Sequence, residues 1–306
     1  MLKIITRSFS ALCALLILLF VAAAWYFSGQ LLQPGRAPCN QDHYVFCTTP
    51  AQIGLPFESL ELKTADGLRL SGWYIPGRLQ GAGIVMVHGR GATRHEALRD
   101  AIALGEAGFP MLLIDLRNSG DSEASFNSMG FHEQKDVQAA VEYLQNRGKD
   151  RIGVVGYSMG ASTSIMAMAD NPLIKAGWFD SGFTDLDTII LDRGALDYGL
   201  PRNALFSGMV RFFYELRGDL ETEGWTPVAV IASIAPRPVF IVHGTADSDV
   251  PVAHGRALYE AAKQPKTYWE IPGGEHTRAW QADPKLSAQL IQQFFLQALM
   301  PETLQQ

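Results

Sequence analysis

The chain predicts an α/β fold, a mostly parallel, doubly wound sheet with an antiparallel hairpin at its N-terminal edge. Three observations lead there. Short apolar runs, each closed by glycine or a turn residue, recur at 84–88, 111–115, 152–157, 176–180, 239–243 and 267–271. Runs of four to six apolar residues without alternation read as strands buried on both faces, as in a parallel sheet. Helical patterns separate them, and strands alternating with helices are the signature of a doubly wound sheet. Finally, residues 58–63 and 68–75 alternate at period two around Asp66-Gly67, which reads as a hairpin.

Before the hairpin comes a segment of another kind. Residues 9–27 (FSALCALLILLFVAAAWYF) are almost unbroken in apolar character, and no charge occurs over 8–33. At 1.5 Å per residue the apolar run is roughly 28 Å long, the thickness of a bilayer's hydrocarbon core. Lys3 and Arg7 precede it and put that side in the cytoplasm, with Trp25, Tyr26 and Phe27 as an aromatic belt at the outer face. Residues 1–30 therefore read as an uncleaved membrane anchor, which exports the body of the protein. The alternative is a signal peptide cleaved after Ala22-Ala23-Ala24; against it, the apolar run continues through the three aromatics. Cys13, preceded by Leu12, lacks the setting of a lipoprotein site and reads as an apolar filler.

Residues 31–55 read as a linker. Cys39 and Cys47 lie there among Pro34, Gly35, Pro38 and Pro50, and in an oxidising compartment they are candidates for a bridge worth about 2–3 kcal/mol. Residues 56–306 read as one folded domain, with an insertion at about 184–224. Thr93-Arg94-His95-Glu96 reads as a capping box for a helix reaching Leu104. Val137, Ala140, Val141 and Leu144 share one helix face. A small-residue helix spans 160–169 and stops at Asn171-Pro172. Pro227 opens another, and residues 286–299 make a last amphipathic one. Residues 184–224 are too long for a simple connection and read as a small, apolar, mostly helical lid over the C-terminal edge of the sheet.

Composition narrows the function. With 306 residues, 47% apolar and 18% charged, the chain is globular, and its net charge of −6 with no long basic run argues against a nucleic-acid groove. No HExxH, Walker A or complete G-x-G-x-x-G string occurs, so neither a metalloprotease nor a nucleotide enzyme has support, and no cofactor is expected. Three cysteines without paired spacing or a histidine cluster do not point to zinc.

The chemistry-bearing string is Gly156-Tyr157-Ser158-Met159-Gly160, a G-x-S-x-G entered by a buried strand and left by a small-residue helix. Such a turn exposes its serine at the sheet edge, and the glycines are needed where strand and helix approach too closely for side chains. A serine hydroxyl needs a base. Of seven histidines, His88 and His243 close strands and read as turn residues. His43 lies in the linker, His95 and His132 at helix starts exposed to solvent, and His254 at a structural helix start. His276, in Gly273-Gly274-Glu275-His276, follows the last strand at the edge that carries Ser158, and is the candidate base. Asp247, after the preceding strand, is the candidate carboxylate that fixes the imidazole tautomer, with Asp249 and Asp180 as competitors.

Together these strings resemble the α/β-hydrolase family over roughly residues 56–300, with the Ser…Asp…His order of that fold. The details are similar to a compact branch that includes serine-aminopeptidase-like and membrane-anchored acyl-protein-thioesterase-like hydrolases. The resemblance implies Ser158 as nucleophile, His276 as base and Asp247 as orienter. It also implies an oxyanion hole from the backbone N–H groups of Arg90, in His88-Gly89-Arg90-Gly91, and of Met159. That branch often has D-x-R-G-x-G after the next strand; here Asp115 to Gly120 reads DLRNSG, with Asn118 where glycine is common. Asn tolerates a positive φ, so the turn is expected to survive, with Arg117 holding it by hydrogen bonds. Serine at the elbow disfavours dehalogenases and epoxide hydrolases of this fold. The expected activity is hydrolysis of an ester or thioester of an acyl or aromatic group through an acyl-enzyme. The alternatives are a peptidase using the same triad and an inactive hydrolase fold kept as a binding module. The sequence gives neither the substrate nor the oligomeric state.

Overall fold

The computed structural model describes residues 2–33, 35–36, 38–39 and 46–300, so Pro34 and His43 of the linker lie outside it. Eight strands form one sheet in the order β1-β2-β4-β3-β5-β6-β7-β8. β1 (Glu58–Lys63) and β2 (Arg69–Ile75) pair antiparallel, and β2 also pairs antiparallel with β4 (Met111–Ile114). β3 (Ala82–Val87), β4, β5 (Arg151–Tyr157), β6 (Ile174–Asp180), β7 (Val239–Gly244) and β8 (Lys266–Ile271) run parallel. β3, β4 and β7 are buried at every position, which is why their sequences are continuous apolar runs. The run at 267–271 departs from that expectation. As the edge strand, β8 is only half-buried, and its apolar character comes from Tyr268 stacking on Tyr259 and from Ile271.

Two apolar layers flank the sheet. On one face α3 (Glu133–Asn146) and α4 (Met159–Asp170) contribute Val137, Val141, Ile165 and Met168; on the other α2 (Leu98–Ala107) and the last helix (Pro284–Leu299) contribute Leu98, Leu104, Ile291 and Phe295. The expected capping box is absent. A 3₁₀ turn over Arg94–Ala97 precedes α2, and the Glu96 carboxylate turns away to accept from Gly89 N at 2.7 Å. The DLRNSG turn keeps its form: Asn118 has φ 57° and Arg117, almost fully buried, bridges Asp136 at 2.7 Å and Asp66 at 2.9 Å.

Residues 184–224 hold two helices, α5 (Leu186–Tyr198) and α6 (Ala204–Gly218), capped by the Asp185 and Asn203 side chains. The N-terminal helix α1 (Leu2–Leu32) runs two residues past the expected boundary, and over Thr6–Leu32 it is long and apolar enough to cross a membrane. Its first half exposes Phe9, Leu12 and Leu15 to Leu19 on all sides, whereas Ala24, Ser28 and Leu32 are buried against α6. Cys39 and Cys47 are joined in a disulfide.

Arg117→Ala removes the only cation bonded to the fully buried Asp136 carboxylate among the described residues. It should lower folding stability by about 3–5 kcal/mol, the cost of an uncompensated buried charge. A thermal midpoint within a degree or two of wild type would show that the pair is not what holds this loop.

Candidate active site

Because β3, β5, β7 and β8 are parallel, their C-terminal ends share one edge of the sheet, and the four segments carrying the candidate residues all leave from it. Ser158 lies between β5 and α4 at φ 52°, ψ −118°, a conformation that L residues rarely hold. The cause is a close approach. A Cβ at Gly160 would lie 2.2 Å from the Val87 carbonyl oxygen, and one at Gly156 would lie 2.4 Å from the Gly160 carbonyl oxygen. Packed this tightly, the chain turns within one residue. Hydrogen bonds hold it there: Ser158 N donates to Asp180 O at 2.8 Å, and Ala161 N donates to Ser158 O at 3.0 Å.

A similar approach joins the loops after β7 and β8. A Cβ at Gly244 would sit 2.1 Å from the Gly274 carbonyl oxygen, and Ala246 N donates to that oxygen at 2.9 Å. With the two loops in contact, the buried Asp247 carboxylate receives His276 Nδ1 on Oδ2 at 2.8 Å. Its Oδ1 accepts from Asp249 N at 2.9 Å and Val250 N at 2.8 Å. Burial alone would raise the Asp247 pKa; the hydrogen bonds from His243 and His276 outweigh it and hold the group well below the usual carboxylate range. The reverse balance acts on His276. Burial would lower its pKa, and the Asp247 carboxylate more than offsets this, so the imidazole titrates above its ordinary 6.5. With Nδ1 donating to Asp247, the neutral ring carries its acceptor lone pair on Nε2.

The competitors are engaged elsewhere. Asp249 bonds Arg193 at 2.5 Å, and the Asp180 carboxylate accepts from Ser181 Oγ at 3.0 Å. His88 Nδ1 donates to Gly89 O at 2.7 Å while its Nε2 accepts from Leu116 N at 2.9 Å, bracing the β3 and β4 loops. His254 accepts from Thr184 N and contacts Asp192 at 2.9 Å; burial pushes its pKa down to about 4, which keeps it neutral. His95 and His132, read as solvent-exposed, are half-buried instead: His95 packs edge-on against Trp73, and His132 against Phe126 and Phe131.

Ser158, His276, Arg90 and Met159 line one cavity of about 660 Å³, with Leu31, Met129, Phe183, Ile189 and Ile190 as its apolar side. Met159 is the first residue of α4, so its N–H has no partner within the helix.

Three participants were not visible in the sequence. His243 places Nε2 3.3 Å from Asp247 Oδ2 while also bonding Val250 O at 2.8 Å, so Asp247 stands between two imidazoles. Glu96 ties Gly89 at 2.7 Å to Thr277 Oγ1 at 3.4 Å, joining the Arg90 loop to the His276 loop. Leu31 brings the N-terminal helix into the cavity wall. Glu96 reaches Thr277 across 181 residues and leaves no local pattern; His243 lies only four residues before Asp247, but reads in sequence as a strand-closing turn residue; and the anchor reading of α1 offers no reason to continue it into a site.

Known proteins share this architecture. The Arabidopsis thaliana α/β-hydrolase domain-containing protein WAV2 is 30% identical over 245 residues, 76% of this chain and 76% of its own length. The Salmonella typhimurium protein YfhR is 28% identical over 247 residues, covering 78% of this chain and 80% of its own. The esterase Pf2001 of Pyrococcus furiosus superposes with a TM-score of 0.69 at 25% identity, covering 88% of this chain and 98% of the esterase. Residues 97–300, from α2 through the last helix, match the prolyl oligopeptidase family. The chain is thus an α/β-hydrolase and belongs to the prolyl oligopeptidase family.

Proposed function

We propose that this hydrolase cleaves a carboxylic ester or thioester with Ser158, His276 and Asp247, tethered to a membrane by α1. The observation that carries the reading is the Asp247–His276 hydrogen bond beside a cavity that Ser158 lines from a strained turn. His276 Nε2 takes the hydroxyl proton as Ser158 Oγ bonds to the acyl carbon. The developing oxyanion lies against the N–H groups of Arg90 and Met159. The acyl–oxygen or acyl–sulfur bond then breaks, and the leaving alcohol or thiol departs with the proton from His276. Water, deprotonated by the same imidazole, releases the acid and restores Ser158.

The family match favours a second reading, a peptidase using the same three residues. Leu31, Met129, Phe183, Ile189 and Ile190 give an acyl group an apolar wall, while Arg90, Arg193, Asp249 and Glu275 line the same cavity and would suit a charged peptide end. A panel of aminoacyl-peptide and acyl-thioester substrates separates the two. An inactive binding module would have no use for the whole set of residues.

Ser158→Ala should abolish labelling by a fluorophosphonate probe and cut ester turnover by at least about a thousandfold, with the thermal midpoint little changed. Turnover within about tenfold of wild type would sink the nucleophile assignment.

The pH profile follows from the raised pKa of His276. The base must be neutral, so kcat/KM should climb with pH through a midpoint above 6.5. In Asp247→Asn the imidazole loses its anionic partner: the midpoint should move down and kcat should fall by about a thousandfold or more. If Asp249→Asn did greater damage, the carboxylate role would pass to that residue.

Membrane retention is tested separately. Residues 9–27 should keep the protein in the pellet through carbonate and high-salt washes, because a spanning helix is held by the hydrophobic effect. A mature N-terminus at Trp25 would instead mark a cleaved signal.

A further inference from the structure

A second cavity of about 230 Å³ adjoins the one holding Ser158, and the two share Leu31, Arg90, Ile190 and Arg193 as common wall. Its remaining lining is largely apolar, with Phe27 of α1 facing Tyr198, Leu200, Phe206 and Val210 of the 184–224 segment. Its depth relative to a bilayer can be read from α1. Phe206 packs on Phe20 at 5.5 Å and on Phe27 at 5.7 Å, Tyr198 on Phe27 at 4.6 Å, and Phe213 on Trp25 at 5.4 Å. Phe20 and Phe27 belong to the uncharged, apolar stretch itself, so this cavity lies at the level where α1 leaves the hydrocarbon. The same two helices expose Tyr198, Leu205, Phe212 and Leu216, each more than half accessible. Apolar side chains clustered beside a spanning helix are what an interfacial surface presents to lipid.

We propose that the cavity between α1 and the 184–224 helices is an acyl-chain subsite, filled from the bilayer leaflet in which α1 ends. Its occupant is the fatty acyl chain of a membrane-resident lipid ester. The proposal rests on the hydrolase and anchor readings above and adds the substrate class. The acyl carbonyl sits at Ser158, and the chain runs past Leu31 and Ile190 into the pocket beside Phe27 and Phe206, so the substrate moves sideways from the membrane without crossing water. Each methylene taken into such a pocket strengthens binding by about fourfold, which favours long chains over acetate.

Gly194 of α5 lines this cavity but not the one with Ser158, and a Cβ there would meet only Leu200 Cδ1, at 3.9 Å. The full-length protein in detergent is assayed on p-nitrophenyl acetate and p-nitrophenyl laurate. Gly194→Phe should lower the laurate-to-acetate ratio of kcat/KM by about tenfold or more. Leu200→Trp, which narrows the same space from the following loop, should lower it in the same sense and serves where the first variant does not fold. An unchanged ratio in a folded variant overturns the subsite. The source is tested in phosphatidylcholine vesicles carrying 4-methylumbelliferyl palmitate. Enzyme reconstituted in the same vesicles should hydrolyse it about tenfold faster than enzyme in separate, probe-free vesicles; equal rates overturn delivery from the bilayer. Wild-type protein that fails to hydrolyse acetate and takes no fluorophosphonate overturns the hydrolase reading and this one together. Acetate hydrolysis with an unchanged ratio overturns this one alone.

Discussion

The contact of α4 with the end of β3 governs the geometry of the site. Val87 and Gly156 are register partners at the centre of the sheet, and the first turn of α4 presses onto the Val87 carbonyl so closely that Gly160 can carry no side chain. Two central strands, a helix and the β3 loop therefore meet within a few ångströms. Ser158 is left as the one residue that must take up the change of direction, at φ 52°. A conformation of this kind costs of order 1–3 kcal/mol, and it persists because the surrounding packing, buried on both sides, allows no other path. The turn also fixes what lies near the serine. Gly89 approaches the Ser158 Cβ so closely that a side chain there would sit 3.2 Å away.

The opposite side of the cavity obeys the same logic through different atoms. The Gly244–Gly274 approach brings two loops together before any side chain is considered, and Asp247 then meets His276 as a consequence of backbone packing. Glu96 joins the two sides, since one carboxylate oxygen holds Gly89 and the other reaches Thr277. Beneath it Arg99 stands 3.8 Å from Glu96, 3.6 Å from Asp100 and 4.2 Å over the Tyr157 ring. Charges this deep are tolerated when partnered on several sides. Here they bind α2 to the strand that delivers Ser158, with the Tyr157 hydroxyl donating to Asp100 at 2.6 Å.

What the sequence disclosed follows from how local each signal is. The strands, the G-x-S-x-G turn and the Gly-Gly-Glu-His loop are short patterns whose physical demands fall on adjacent residues, so they could be read one after another. Asp247 could be ranked above Asp249 only by position; the structure gives the two carboxylates different partners, His276 for one and Arg193 for the other. Glu96 shows the opposite case. Its spacing from Thr93 satisfies a local rule for helix starts, yet the carboxylate accepts from Gly89 N in the loop after β3, a partner that only the packing of that loop brings near. The same holds for His95, which packs on Trp73 of β2, whereas the rings on His132 are Phe126 and Phe131, close by in the chain. The edge position of β8 was equally hidden, since apolar content alone does not say how many neighbours a strand has.

The N-terminal helix divides into two parts with different surroundings. Phe20, Val21, Ala24, Phe27, Ser28, Leu31 and Leu32 recur at helical spacing and are among the residues withdrawn from the surface, while the turns before them are largely apolar and exposed. The upper stripe is built for one neighbour. Small residues at Ala24, Ser28 and Gly29 let α6 come close, and the Arg217 guanidinium lies over the Trp25 ring while donating to Trp25 O at 2.7 Å and Ser28 Oγ at 2.9 Å. Leu32 O accepts from Asn127 N at 2.8 Å, which fastens the end of the helix to the body. Removal of residues 1–24 would erase the exposed apolar half and the Phe20–Phe206 contact but leave Trp25, Phe27, Leu31 and Leu32 in place. Phe27 and Leu31, which wall the cavity, thus lie within the same Thr6–Leu32 stretch that is long and apolar enough to cross a membrane. A helix used only as a tether would have no need of that overlap.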